Sequence, residues 1–390
     1  MKQTSSFRGE RCFEGPVSVV LCLRGNDPSL SACLNGLAHQ SYHDFQLICV
    51  VDDIADPALA EVQKHAGHFQ SAPQVLSIQS PGTHRSLKCS ALLTAFGEIT
   101  GDGNRSEAVA LVDADACCDP DWLRDLVAPL SDPGIDATSG NRWFEPADAA
   151  VGSWVRQAWN AAAVVQMKLY GIPWGGSLAF RTSLLQETDL LKRLQGAFCE
   201  DTLLGDILRK EKRTFHTSTS LVVTNAEATN LPAAKSFIQR QLLTTRLYHW
   251  SWPCVALHGL SIFLLHAATV TGLILAIAMN AWLPAGLFLS ALVLFSLANL
   301  TLLGWIGRIN DRKLELRQAS RIRTNLTAKV RLGYLLAVLA SPWVHSWALL
   351  SAMFCSQVRW RGIDYRVDRG QIEMLEYKRY AAPSIGQSIE

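Results

Sequence analysis

The chain has 390 residues, with 36 Lys and Arg against 34 Asp and Glu and a formal net charge of +2. So balanced a charge leaves no footprint for a nucleic-acid partner, and the length exceeds what one small domain needs. Hydrophobic residues make up 49% of the chain, high for a soluble enzyme, and the excess falls after Trp250. Ten cysteines are scattered without a C-x-x-C pair, and Cys22, Cys33 and Cys49 lie in or beside apolar runs. They read as reduced, buried thiols in a cytosolic setting. No signal peptide is expected from these residues, because Met1 to Glu14 is polar and Val17 to Leu23 is too short to span a bilayer.

Taken in order, Val17–Leu23 reads as a buried strand that Arg24-Gly25-Asn26-Asp27-Pro28 turns into a helix over 29–40. Phe45–Val51 is a second strand, ending in Asp52-Asp53-Ile54-Ala55-Asp56-Pro57. A helix to about His65, a strand at 74–78 and a helix beginning near Lys88 follow. The strand Ala108–Val112 then ends in Asp113-Ala114-Asp115. Alternate side chains of a strand share a face, so Asp113 and Asp115 converge on one site. A polar loop leaving a core strand is the plain alternative, since D-x-D is short and common by chance. Strand and helix alternating at this spacing predict an α/β fold with a mostly parallel sheet, whose ligands bind beyond the carboxyl ends of the strands. Both acidic clusters sit there.

Further on, 136–144 reads as a strand or an extended loop, and 149–170 as a helix. Trp174-Gly175-Gly176-Ser177 forms a tight loop, Glu200-Asp201 precedes a helix over 203–210, and Leu221–Thr224 is a last strand. From Pro253 the character changes. Runs over 254–279 and 282–306 are long enough to cross a bilayer, with Trp250, Trp252, Trp282 and Trp305 near their ends. Arg308, Arg312, Lys313, Arg317, Arg321, Arg323, Lys329 and Arg331 follow, a density that marks the cytoplasmic side. A third apolar run, 332–355, is interrupted by Pro342 and His345. A third crossing would put Arg359, Arg361, Arg366 and Arg369 outside, so a re-entrant or interfacial element is expected. The domains expected are thus a polar tail (1–15), an α/β domain (16–250), a membrane region (251–356) and a cytoplasmic tail (357–390).

These residues, in this order, resemble the family 2 inverting glycosyltransferases with a GT-A domain, within them the ceramide glucosyltransferase and hopanoid glycosyltransferase type. The resemblance runs from about residue 16 to 366. It is carried by Val17–Leu23 with Arg24-Gly25, the Asp52–Asp56 cluster, Lys88, Asp113-Ala-Asp115, Trp174-Gly175-Gly176-Ser177, Glu200-Asp201 and Trp360-Arg361-Gly362-Ile-Asp-Tyr365. It implies a membrane-anchored, multi-pass enzyme with its catalytic domain on the cytoplasmic face, at the inner membrane if bacterial. The donor implied is a nucleotide sugar, a UDP-sugar first among them, and the acceptor a lipid hydroxyl. By position, Asp52 with Asp53 or Asp56 would line the nucleobase and ribose pocket. Asp113 and Asp115 would hold Mg²⁺ or Mn²⁺ against the diphosphate. Asp201 would be the general base, and Lys88, Trp174 and Glu200 would line the substrate site.

Plain alternatives stand beside these roles. Asp201 reads also as a helix N-cap, Lys88 as a solvated lysine, the aspartates at 52, 53 and 56 as turn formers, and His216 and His249, metal ligands by residue type, as structural. One stretch departs from the family pattern. The Q-x-x-R-W motif expected before the membrane helices is replaced by Gln239-Arg240-Gln241-Leu242-Leu243, which leaves Gln239 with Arg240 or Arg246 as candidates for the diphosphate. That loss argues against a processive polysaccharide synthase, the second reading. A non-catalytic nucleotide-sugar-binding protein is the third.

Overall fold

The computed structural model describes residues 2–4, 12–146, 150–316, 328–368 and 370–380. Its centre is an eight-stranded sheet, built from β1 (Lys2–Thr4), β2 (Val17–Leu23), β3 (Phe45–Val51), β4 (Gln74–Ser77), β5 (Ala108–Val112), β6 (Ala137–Phe144), β7 (Ser177–Arg181) and β8 (Thr214–Asn225). The order across it is β1-β8-β6-β7-β5-β2-β3-β4. Neighbours run parallel except β7, which is antiparallel to both β5 and β6. Strands β2 and β5 are buried on both faces, which explains why Val17–Leu23, apart from Ser18, and Ala108–Val112 read as continuous apolar runs.

Helices cover the two faces. On one lie α1 (Leu30–Ala38), α2 (Ala58–His65) and α4 (Trp122–Val127), packing Leu34, Leu37 and Trp122 against Val19, Leu21 and Val112. On the other lie α3 (Leu87–Ile99), α6 (Leu184–Glu187), α7 (Leu190–Leu194) and α8 (Asp201–Lys210). The long α5 (Val151–Tyr170) and α9 (Leu231–Tyr248) pack against each other and lead to the apolar helices.

Register gathers the loops at one edge. Leu23 of β2 is level with Val51 of β3, and Leu21 with Val112 of β5, so the residues after these three strands emerge together. Because β7 runs the other way, its first residue, Ser177, pairs with Val112, and the Trp174–Gly176 loop arrives at the same edge. β6 is in register with β7 only from Ala137 to Ser139, and its last residues overhang the edge beside β8.

The apolar helices are α10 (Trp252–Ala278), α11 (Trp282–Leu316) and α12 (Ala328–Met353). Spans of mean hydropathy 2.2, 2.1 and 1.4 within them are long enough to cross a membrane. α10 and α11 form a hairpin with outward leucines such as Leu265 and Leu294, whereas α12 is far more buried. It is continuous through Pro342 and lies along the α/β domain: Gly333 abuts Trp154 near its start, and Arg246 donates to the Ala352 and Met353 carbonyls, each 2.6 Å away, at its end. Of the basic residues expected to mark one side, Arg317, Arg321 and Arg323 lie outside the described residues.

Three segments differ from the reading of the sequence, the first being Lys2–Thr4, which lies in the expected polar tail yet is β1 at the edge of the sheet. β8 starts seven residues before Leu221, because Thr214–Ser220 is polar yet pairs with β1 and β6. The segment after α12 is a three-stranded antiparallel sheet, β9 (Gln357–Trp360), β10 (Ile363–Asp368) and β11 (Gln371–Met374). Alternate residues Ile363, Tyr365 and Val367 face inward and join the core beside α3 and Phe198. Arg361 and Gly362 make its two-residue hairpin with φ of 48° and 78°, the positive values such a turn requires. All ten cysteines are free.

Candidate active site

The loops at the carboxyl edge enclose a cavity of about 200 Å³. Its floor is acidic. Asp113 leaves β5, and Lys88, in the first turn of α3, donates to Asp113 Oδ1 at 2.8 Å and stands 2.7 Å from Glu200 Oε1. The lysine is thus a buried tie between two elements rather than a solvated surface group. Burial by itself pushes the Asp113 carboxyl up, but Lys88, with Arg142 and Arg361 behind it, outweighs this and holds it below the usual carboxylate range. Burial, and then the charge of Asp113, push Asp115 up to about 6. Glu200 is raised by burial and then by Asp201, against Lys88.

Asp201 is the first residue of α8, and Glu200 holds the N-cap position without a side-chain cap bond. The Asp201 carboxylate accepts from the Gly175 amide at 2.9 Å and from the Thr202 amide at 2.6 Å. A side chain at Gly175 would collide with Glu200, and one at Gly176 would come within 2.5 Å of Asp113 Oδ2. The paired glycines therefore let the backbone approach three carboxylates closely.

At the far end of the cavity the three aspartates of the second cluster separate. Asp52 lines the cavity, with Oδ2 on Arg24 and on the Tyr377 hydroxyl, and Oδ1 buried with no partner. Burial, then Asp56, raise its carboxyl, with Arg24 and Tyr377 opposing. Asp56 does not line the cavity: its oxygens accept from the amides of Gly25, at 2.9 and 3.0 Å, and of Ala58, at 2.8 Å. It is the turn former of the plain alternative, holding Gly25 at φ +74°. Asp53 accepts from the Ala55 amide and pairs with Arg379 outside the cavity.

The cations also sort themselves. Arg240 lines the cavity and stacks on Phe237 and Trp360, whereas Gln239 bonds Lys235 and Cys355, and Arg246 caps α12. Neither Gln239 nor Arg246 reaches the site. Arg142, which the sequence did not single out, does. It projects from the overhanging part of β6 and lies over the rings of Phe144, Trp174 and Phe237 at 4.7–5.2 Å. Its Nε is buried without a partner, and no salt bridge to it is formed among the described residues. Burial lowers its pKa, opposed by Asp115 and Asp113. Nearby Arg24 is held by Asp52, Arg156 by Glu227 and Arg361 by Asp27. No motif announces Arg142; its only sequence signal is a charge just before the aromatic pair Trp143-Phe144 at a strand end.

A second, smaller cavity of about 60 Å³ adjoins the first and shares Arg142, Trp174, Asp201, Gln241 and Thr244 with it. The rest of its wall is largely apolar, with Trp159, Val164, Met167, Ile172, Leu242 and Val255 among its residues. Leu242 stands where the Q-x-x-R-W pattern has its Arg, and here it lines this slot. Val255 is in the first turn of α10, so the slot runs from Asp201 toward the base of the apolar hairpin.

Asp113 and Asp115 offer oxygen ligands only, the donor set of Mg²⁺ or Mn²⁺. Among the described residues no third His, Cys, Asp or Glu completes a cluster with them. Such a pair fits a hard cation that keeps waters and takes its other ligands from a diphosphate.

The sequence model of glycosyl transferase family 21 matches residues 2–373, nearly the whole chain. The chain belongs to this family. It is a glycosyltransferase with a GT-A-like α/β domain, and family 21 is the number to set beside the family 2 likeness drawn from the motifs. No curated protein matches it. Among solved structures it is similar to the mannosyltransferase PcManGT from Pyrobaculum calidifontis in complex with GDP-Man and Mn²⁺, at 18% identity and TM-score 0.46, covering 88% of each chain. It is also similar to glucosyl-3-phosphoglycerate synthase from Mycobacterium tuberculosis in complex with Mn²⁺ and UDP-glucose, at 17% identity and TM-score 0.40, covering 62% of this chain and 86% of that one.

Proposed function

We propose that this family 21 protein moves one sugar, with inversion, from a nucleotide sugar to the hydroxyl of a membrane lipid. The observation that carries the reading is the meeting of two cavities, one charged and one apolar, at Asp201. A charged cavity alone would suit many donors and acceptors; an apolar slot leading from the same carboxylate to a hydrophobic hairpin suits an acceptor with an alkyl chain.

In this reading the acceptor hydroxyl gives its proton to Asp201 as its oxygen bonds the anomeric carbon from the face opposite the diphosphate. The bond from that carbon to the diphosphate oxygen breaks in the same step, which inverts the centre. Asp113 and Asp115 would hold Mg²⁺ or Mn²⁺, which supplies Lewis-acid stabilisation of the leaving diphosphate. At the junction Arg142 adds a cation with no salt bridge among the described residues, the charge that the missing motif arginine leaves to another residue. Lys88 keeps Asp113 and the start of α8 in register. The donor is a nucleotide sugar, with a UDP-sugar the first to try.

The hairpin α10–α11 anchors the enzyme. Asn310 of α11 reaches Thr224 of β8 at 3.4 Å, so the basic end of α11 and the catalytic domain share a side, the cytoplasmic one by the charge rule. α12, tied to the domain near both ends, lies along the membrane surface rather than across it, with its Trp343 and Trp347, and Phe354 just after it, exposed. A processive synthase fits less well, since the slot is narrow and the hairpin offers no channel.

The test is the purified protein with nucleotide sugars, Mn²⁺ and a lipid extract, with the product's anomeric configuration read by NMR. A monoglycosylated lipid of inverted configuration supports the reading; polymer, or retained configuration, contradicts it.

A further inference from the structure

β11 ends at Met374, whose amide donates to the Thr83 carbonyl at 2.6 Å, and the Leu375 amide is held by the Asp364 carbonyl at 2.9 Å. The chain then crosses the Asp52 end of the large cavity. Four successive residues touch the loops that follow β2 and β3 there, without themselves lining the cavity. The Tyr377 hydroxyl donates to Asp52 Oδ2 at 3.2 Å, and the Lys378 carbonyl accepts from Arg24 Nη2 at 2.6 Å. Arg379 Nε lies 2.6 Å from Asp53 Oδ2, and the Tyr380 ring lies against Gly25 on the face where a side chain would project. All four partners follow directly on β2 or β3. Arg24 is the hub, since it also holds Asp52 and donates to the Arg361 carbonyl at 2.8 Å.

This strap leaves one group unanswered. Asp52 Oδ1 is buried without a hydrogen-bond partner, an arrangement that is costly unless a ligand supplies the donor. An ionised carboxylate only accepts, so the missing group is an N–H or O–H. Two tyrosines of the strap stand near it: the Tyr377 hydroxyl bonds the other oxygen of the same carboxylate, and the Tyr380 ring packs on Gly25, next to the Arg24 that holds Asp52. We propose that residues 377–380 complete the nucleobase subsite, with the Tyr377 and Tyr380 rings walling a base that donates to Asp52 Oδ1. The inference rests on the donor being a nucleotide sugar. The strap is held by contacts at the surface, with Tyr377 36% and the Arg379 side chain 77% exposed, and surface pairs of this kind contribute little by themselves. It lifts to admit the nucleotide and settles on the base, which then orders it.

The test is calorimetric titration of the full-length protein in Mn²⁺ with UDP, GDP and inorganic pyrophosphate, against a chain ending at Glu376 and against Tyr380→Ala. Both variants keep β9–β11, and a melting curve checks this. Loss of a stacked aromatic wall should weaken UDP or GDP about tenfold and leave pyrophosphate unchanged, since pyrophosphate has no base. Unchanged nucleotide affinity in both variants overturns the strap's role. Tighter nucleotide binding overturns it also and makes the segment an inhibitory cover. Equal weakening of pyrophosphate contradicts a subsite for the base. A wild-type protein that binds neither UDP nor GDP sinks the donor reading and the strap with it.

Discussion

The Gly175 amide donates to Asp201 Oδ2 at 2.9 Å, which fixes one carboxylate at the point where the charged and apolar cavities meet. The bond joins the loop before β7 to the start of α8, so the orientation of the proposed base is set by backbone. Asp201→Asn keeps an acceptor for Gly175 but cannot take a proton. Turnover should fall by about 10³-fold, within the range for general-base catalysis, while donor affinity measured by titration stays the same.

Lys88 is a structural tie before it is anything else. Removing it takes the shared cation from buried Glu200 and half-buried Asp113, to which Arg142 and Arg361 remain as more distant charges, and breaking a buried pair costs up to about 3–5 kcal/mol. Lys88→Met should therefore lower the melting temperature markedly. Adding Glu200→Gln should restore part of the loss, because one of the two stranded charges is gone. A Lys88→Met protein as stable as wild type would remove the ion pairs from the account.

The apolar slot predicts a split between the two substrates. Ala163 lines it without lining the large cavity. Ala163→Trp fills the slot, so KM for a lipid acceptor should rise about tenfold, the equivalent of roughly 1.4 kcal/mol, with donor affinity unchanged. Kinetics with lipid varied at fixed donor would show it, and an unchanged acceptor KM would place the acceptor elsewhere.

His249 joins α9 to the hairpin and shares a hydrogen bond of 2.7 Å with the Ser251 hydroxyl. Burial pulls its pKa from 6.5 down to about 4, against the opposing charges of Asp206 and Asp201 and with a further lowering from Arg209. The folded state thus resists protonation more than the unfolded chain does. The stability this represents is complete above pH 6.5 and is lost as pH falls toward 4, by about 3 kcal/mol in all. Melting curves from pH 7 to 4.5 should show the loss, and His249→Gln should flatten it.

Much of this was legible in the chain, and what was not has physical causes. β2, β3 and β5 are mostly apolar runs because both of their faces are covered, and the carboxylates after them follow from register. Asp52 and Asp56 look alike in sequence; only the fold shows that one opens to the cavity and the other bonds Gly25. The start of β8 is hidden by its Thr and Ser content, and Arg142 by the absence of any motif around it. Gln239 fits the family pattern yet faces Lys235 and Cys355 instead. The strap at 377–380 meets Arg24 across a separation of more than 350 residues, which no local pattern reports.

The most direct measurement is transfer of labelled sugar from a nucleotide sugar into a lipid extract in the presence of Mn²⁺. The account predicts label in a single-sugar glycolipid, abolished by chelation and by Asp201→Asn. Label released only as free sugar, or transfer that survives loss of the Asp201 carboxylate, would contradict it.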